Sequence, residues 1–305
     1  MAIIPSFFMD AVVSLGVSHP NQPDKKIWVG TGFLVGRKET DAPNQSTVYV
    51  ITNKHVIENQ PMLYVRFNHV GNTGVEDLPM PLVHKDGSPL FSLHPNRSVD
   101  IVAIQILPMV IIQKNLSLNY FDLDDHAVTL SQMEKTGINE GNLVFALGFL
   151  MNLVHDQIKA PICRLGCIAR VADAFISPAN ASQYLVDAQT FPGNSGGPII
   201  SRPENFSIQG TPVNNKANLI GILSAYIPYR EVLYSRHSGH DRMIQEENSG
   251  LTIVHPVDRI KEVVELEWQR NEDKKAKAKT QQPEKPIEKH VTGEIIHDSE
   301  NEEEN

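Results

Sequence analysis

One serine stands in a setting that ordinary turns lack. Ser195 lies within Phe191-Pro192-Gly193-Asn194-Ser195-Gly196-Gly197-Pro198, followed by the apolar pair Ile199-Ile200. A lone Gly-x-Ser-x-Gly is weak evidence, and a plain β-turn between strands is the alternative for this stretch taken by itself. The denser grouping has a mechanical sense. Gly193 permits φ > 0, which a side chain resists. Such a turn aims the N–H groups of Gly193 and Ser195 at one point, where a negative oxygen can be held. Gly196 and Gly197 leave room for a passing backbone, and Pro198 starts an extended segment.

A hydroxyl is a weak nucleophile until a base takes its proton, and the base needs a group that orients it. Tyr49-Val50-Ile51-Thr52-Asn53-Lys54-His55-Val56-Ile57 is an apolar strand that delivers a histidine at its end. Ser98-Val99-Asp100-Ile101-Val102-Ala103-Ile104-Gln105-Ile106 places an aspartate before a β-branched run. His55, Asp100 and Ser195 in that order, each in its own local context, are far more specific together than singly.

These segments resemble those of trypsin-like (chymotrypsin-fold) serine proteases, in particular the disulfide-poor bacterial kind typified by the HtrA/Deg proteases. Gly30-Thr31-Gly32-Phe33-Leu34-Val35 and Gly250-Leu251-Thr252-Ile253-Val254-His255-Pro256-Val257 extend the resemblance, which covers roughly residues 10 to 265. It implies two six-stranded antiparallel β-barrels, about 6–125 and 140–255, with His55 and Asp100 from the first and Ser195 from the second. A C-terminal helix over 256–268 would close a protease domain of residues 1–268. The implied activity is peptide-bond hydrolysis of protein or peptide substrates through an acyl-enzyme, with Gly193 and Ser195 as the oxyanion hole and no metal or cofactor. The alternative is a catalytically silent or trigger-dependent protease fold serving as a binding or sensor module.

The same resemblance places a substrate-binding wall. Ser224 matches a serine that hydrogen-bonds the buried aspartate, although a polar residue on an edge strand is the other reading. Ala225 and Tyr226 would line the specificity pocket, with Gln189 at its base. The absence of an acid there argues against an Arg/Lys preference, and Tyr226 narrows the space, so small or medium uncharged side chains are expected. Asn194 stands where secreted digestive members carry an aspartate that pairs with a new N-terminus. No trypsin-type zymogen activation is expected. No counterpart of the PDZ module that follows the protease in HtrA proteins is expected in the charged tail.

The elements that position these groups read as strands. Frequent turns and the lack of a long helical period argue for an all-β barrel or sandwich. Strands are expected over 6–17, 26–36, 47–52, 62–70, 100–107, 143–149, 161–171 and 183–187, with an irregular join over 108–141. The polar stretch 227–249 shows no periodicity and reads as a long loop, functional or mobile. His237 and His240 within it, like His69, His84 and His94 elsewhere, lack metal-ligand spacing. From Gln269 onward Lys, Glu, Gln and Asn dominate, and a disordered charged tail over 269–305 is expected.

Whole-chain properties narrow the rest. The 305 residues are 41% hydrophobic, enough for a sizeable core. A formal net charge of −9 gives no reason to expect nucleic-acid binding. No run approaches a membrane span, and the first residues lack a basic secretory n-region. Cys163 and Cys167 are the two cysteines; four residues apart on one strand they sit ~13 Å from each other, beyond disulfide reach. Two free buried thiols and a cytoplasmic location are the expectation.

Overall fold

The computed structural model describes residues 4–42, 44–204, 212–234, 237 and 241–280. The chain divides into two compact units, Met1–Trp268 and Gln269–Asn305. Apolar strands dominate the first unit. β1 (Val12–His19), β2 (Gln22–Lys38), β3 (Ser46–Thr52), β4 (Met62–Asn68), β5 (Val75–Pro81), β6 (Ser92–Leu93), β7 (Val102–Gln105) and β8 (Phe121–Asp122) form an eight-stranded sheet. Its order is β5-β4-β1-β2-β3-β7-β6, with β8 parallel to β2. β9 (Leu143–Gly148), β10 (Ile162–Arg170), β11 (Tyr184–Asp187), β12 (Pro198–Ser201), β13 (Asn218–Tyr234) and β14 (Asp241–Pro256) close into a barrel in the order β10-β11-β14-β13-β12-β9. The expectation of two six-stranded barrels thus holds for the second half alone. The first half is an eight-stranded sheet whose edges, β5 and β6, do not pair with each other among the described residues.

Short helices punctuate the strands: α1 (Ser6–Asp10), α2 (Lys54–Ile57), α3 (Pro108–Gln113), α4 (Leu130–Thr136) and α5 (Ala172–Ile176). The strand expected from residue 6 begins only at Val12, because Ser6–Asp10 turns as α1 and buries Phe8. The irregular join holds α3 and α4. Thr129 and Gln132 form a capping box at the start of α4, and Gly137 ends it with φ 72°. α6 (Val257–Thr280) runs beyond the expected end at residue 268. Residues 281–305, most of the expected tail, lie outside the described residues. No described helix is long and apolar enough to cross a membrane.

The two halves share a core. The run into β7 shows how: Val102 and Ile104 pack into the cluster of the N-terminal sheet, while Ala103 and, just before the strand, Ile101 join Phe33, Tyr49, Leu147, Ile200 and Leu219 in a cluster reaching the barrel. Val257, Ile260, Val263 and Val264 of α6 enter this shared cluster. Each is at most 1% exposed, and burial of such side chains contributes about 1.5–3 kcal/mol apiece. α6 also grips the N-terminal sheet through polar bonds. Glu262 meets His94 Nε2 at 2.6 Å, Ser92 Oγ donates to Glu267 at 2.6 Å, and Arg37 makes a bidentate pair with Glu265.

Two further expectations are corrected. Residues 227–234 and 241–249 are not a loop: β13 and β14 stay paired out to Tyr234↔Asp241 as a two-stranded ribbon, and 235, 236 and 238–240 lie outside the described residues. Cys163 is exposed and Cys167 half-buried, both free, because they alternate with inward residues on a strand whose outer face meets solvent.

Candidate active site

His55 is delivered by the end of β3. Val56 and Ile57 are buried and anchor α2, which leaves the imidazole outward with its side chain 48% exposed. Asp100 precedes β7, and its carboxylate meets His55 twice: Oδ2 lies 2.5 Å from Nδ1, and Oδ1 accepts the His55 backbone N–H at 3.2 Å. Ser224 Oγ donates to the same Asp100 Oδ2 at 3.3 Å. Asn53 Nδ2 donates to the Asp100 carbonyl at 2.7 Å. Burial pushes the Asp100 carboxyl up, but the hydrogen bonds and charge of His55 outweigh it and hold it below the usual carboxylate range. With Nδ1 engaged by the carboxylate, Nε2 is the ring atom left to take a proton.

A histidine that sequence reasoning passed over supports Asp100 from behind, through its backbone. His255 on β14 is 2% exposed. Its Nε2 accepts the Asp100 backbone N–H at 3.1 Å while Nδ1 lies 2.6 Å from the Ser182 carbonyl. That pair of partners fixes a neutral ring with the proton on Nδ1. Burial lowers its pKa, and the Ser182 carbonyl and Asp100 only partly offset this. The signal was a polar residue in the run Thr252-Ile253-Val254-His255, where the strand period puts it on the face opposite Val254 and the barrel's own core.

The Ser195 turn takes the conformation its glycines allow. Gly193 has φ 96° and Gly196 φ 85°, both in the left-handed region. A Cβ at Gly196 would collide with the Thr31 carbonyl and Thr52 Oγ1. Thr31, from the Gly-Thr-Gly strand of the other half, clamps the turn. Its Oγ1 donates to the Gly193 carbonyl at 2.6 Å and accepts the Phe149 N–H at 2.9 Å, and its N–H donates to the Ser195 carbonyl at 2.9 Å. The Pro192 carbonyl is drawn aside by the Met151 N–H at 2.6 Å. Met151 holds that pose with φ 49° and ψ 30°. Among the described residues, neither the Gly193 nor the Ser195 N–H has an acceptor. Asn194 is 1% exposed, and its Oδ1 accepts the Phe191 N–H at 3.1 Å, so the turn is stapled internally.

Ser195 Oγ donates to the Ser224 carbonyl at 3.2 Å rather than to His55. His55, Asp100, Ser195 and Ser224 therefore form one connected set across the two halves, with the Ser195–His55 link open. Ala225 and Tyr226 are exposed on β13 just beyond Ser224. Gln189 is exposed, and its neighbour Thr190 is buried and bonded to Thr252 Oγ1 at 2.9 Å.

The family model for the trypsin-like peptidase domain matches residues 30–206, more than half of the chain. The chain belongs to that family. No curated protein matches it. Among solved structures it is similar to the MamO protease domain from Magnetospirillum magneticum in its apo form, at 17% identity and TM-score 0.42, covering 83% of this chain and 95% of that one. It is similar also to the serine endoprotease from Yersinia pestis, at 16% identity and TM-score 0.43, covering 85% of this chain and 63% of that one. The HtrA-type protease AlgW, with a decapeptide, shares 17% identity at TM-score 0.43, covering 88% of this chain and 66% of that one. The chain thus spans less than two thirds of the length of the last two.

Proposed function

We propose that the protein is a serine endopeptidase that cuts protein or peptide substrates through an acyl-enzyme. The observation that carries this is the pairing of an Asp100-bound imidazole with a turn whose Gly193 and Ser195 amides are both unengaged among the described residues. In this reading Ser195 Oγ attacks the carbonyl carbon and His55 Nε2 takes its proton. Asp100 holds the tautomer and stabilises the imidazolium. The two amides bind the oxyanion, each contributing about 3–4 kcal/mol to the transition state. The Ser224 carbonyl that holds Ser195 Oγ at rest is also placed to accept an N–H from an incoming peptide. Engaging it releases the hydroxyl toward His55, in keeping with catalytic bonds that tighten only once substrate is bound.

Asn194 is neutral and bonded within its own turn, so no released N-terminus is needed to build the site. The untrimmed chain is expected to hydrolyse a protein such as casein, and the Ser195→Ala variant is expected to be inert. Activity appearing only after N-terminal cleavage would overturn this. A second reading has a specific observation behind it: the Ser195–His55 link is open, as in a module that waits for a trigger or has lost turnover. An untrimmed chain that binds an extended peptide yet never cleaves it would favour that reading.

A further inference from the structure

The ribbon formed by β13 and β14 starts at the candidate site. β12 fills one edge of β13 only over Asn218–Ile222. One step further, Leu223 exchanges bonds with Gly196 and Gly197, at 3.0 and 2.9 Å. The next step is Ser195 Oγ on the Ser224 carbonyl. The segment that covers this edge leaves it at the serine itself. From Ala225 to Tyr234 the edge has no partner strand among the described residues, while the opposite edge stays paired to β14. An uncovered edge is a template for an added strand.

We propose that the two-stranded ribbon beyond Pro228 docks the part of a substrate that lies well upstream of the bond to be cut. The segment selected is extended and carries a basic side chain between two apolar ones. The proposal rests on the peptidase reading above and names its substrate class. A peptide that continues the antiparallel order of β12, with its reacting carbonyl at Ser195, runs its upstream residues toward Tyr234. Reaching Leu233 takes about ten residues, at ~3.3 Å each. Pro228 has no N–H, so the ladder weakens there and side chains carry the contact beyond it.

Those side chains set the chemistry. Directly opposed residues share a face, and the register opposes Tyr229 to Glu247, Glu231 to Gln245 and Leu233 to Met243. One face therefore runs from an aromatic ring, past two carboxylates, to an aliphatic pair. Tyr229 and Met243 are each 56% exposed, an unusual density of apolar surface on a free ribbon. Among the described residues neither Glu231 nor Glu247 has a basic partner, whereas on the other face Arg230 neutralises Glu246 at 2.7 Å.

The test uses the full chain carrying Ser195→Ala and fluorescence anisotropy of two labelled peptides with free C-termini. One has about four residues; the other extends it upstream to about ten, with lysine between two leucines at the positions that would face Glu231, Tyr229 and Leu233. The longer peptide is expected to bind at least tenfold tighter. Glu231→Lys with Glu247→Lys should erase that gain and leave the short peptide's affinity unchanged, which also shows that the variant folds. Equal affinity for the two peptides overturns the proposal. So does sedimentation showing that Leu233→Ala with Met243→Ala turns a dimer into monomers, because a second copy then covers the ribbon. Binding needs no turnover, so the two readings fail separately. A tight long peptide with a wild-type chain that never cleaves removes the peptidase and keeps the docking edge; cleavage with equal affinities does the reverse.

Discussion

The barrel and the N-terminal sheet hold their share of the site by different means. The barrel closes on itself, and its serine sits on a turn whose shape is dictated by Gly193, Gly196 and the bonds of Leu223 to Gly196 and Gly197. In the sheet, β5 and β6 do not pair among the described residues, and only the bridge Val83↔Pro89 joins the chain beside them. Its two contributions sit at weak places: His55 on a one-turn helix and Asp100 just ahead of a four-residue strand. Within the sheet, Asn53 holds the Asp100 carbonyl and the His55 N–H meets its carboxylate. The rest of what orients them comes from beyond the sheet: His255 on the Asp100 backbone, Ser224 on its carboxylate, and α6 on His94 and Ser92. Thr31 acts in the opposite direction, clamping the Ser195 turn from the sheet. Alignment is therefore a property of the shared interface, and changes at that interface test the comparison.

The largest effect is expected at Asp100. Asp100→Asn keeps the shape but presents the wrong donor to His55, and should lower kcat by about 10⁴-fold in the peptidase reading. Steady-state kinetics on a peptide substrate checks it. Thr31→Val comes next. It strands the Gly193 carbonyl and the Phe149 N–H, both buried, at a cost of about 1–3 kcal/mol each. Urea unfolding should show the loss, and kcat should fall more than KM rises, because the turn supplies the oxyanion donors.

His255→Phe breaks the strut from barrel to sheet while keeping the side chain's bulk. Stranding the Asp100 N–H should cost about 1–3 kcal/mol. The wild-type pH profile supplies a second readout. The folded His255 pKa is lowered by burial, so the unfolded chain takes up a proton first as pH falls through about 6.5. Stability then declines from there down to the folded pKa and levels off below it. Removing His255 should flatten that part of the curve, measured as unfolding midpoint against pH. The smallest effect is at the cysteines. Cys163 and Cys167 are free and four residues apart on β10, so adding a reductant should leave Tm unchanged by calorimetry.

The parts of this architecture that were legible in sequence are those where side-chain type and backbone shape coincide. Gly193 and Gly196 announce a turn that needs positive φ, and the run after Asp100 announces a strand buried on both sides. His55, Asp100 and Ser195 were read from local context and Ser224 from the resemblance; the four lie in one hydrogen-bonded set with the Ser195–His55 link open. The strand pairing at the edges of the N-terminal sheet, where a single bridge stands between Val83 and Pro89, was not legible, since no local pattern encodes whether two edges meet. The ribbon escaped because both of its faces meet solvent, so its strands lack the alternation that marks a half-buried sheet. α4 escaped because it is short and its signal is a capping box. His255 and Thr31 act through partners more than 100 residues away in sequence, which only the assembled interface reveals.

The most direct test of the central claim is fluorophosphonate labelling of the untrimmed full chain, followed by mass spectrometry of the labelled site. The account predicts a single adduct on Ser195, lost in Ser195→Ala and in His55→Ala. No adduct on the wild-type chain, or an adduct that survives His55→Ala unchanged, would contradict it.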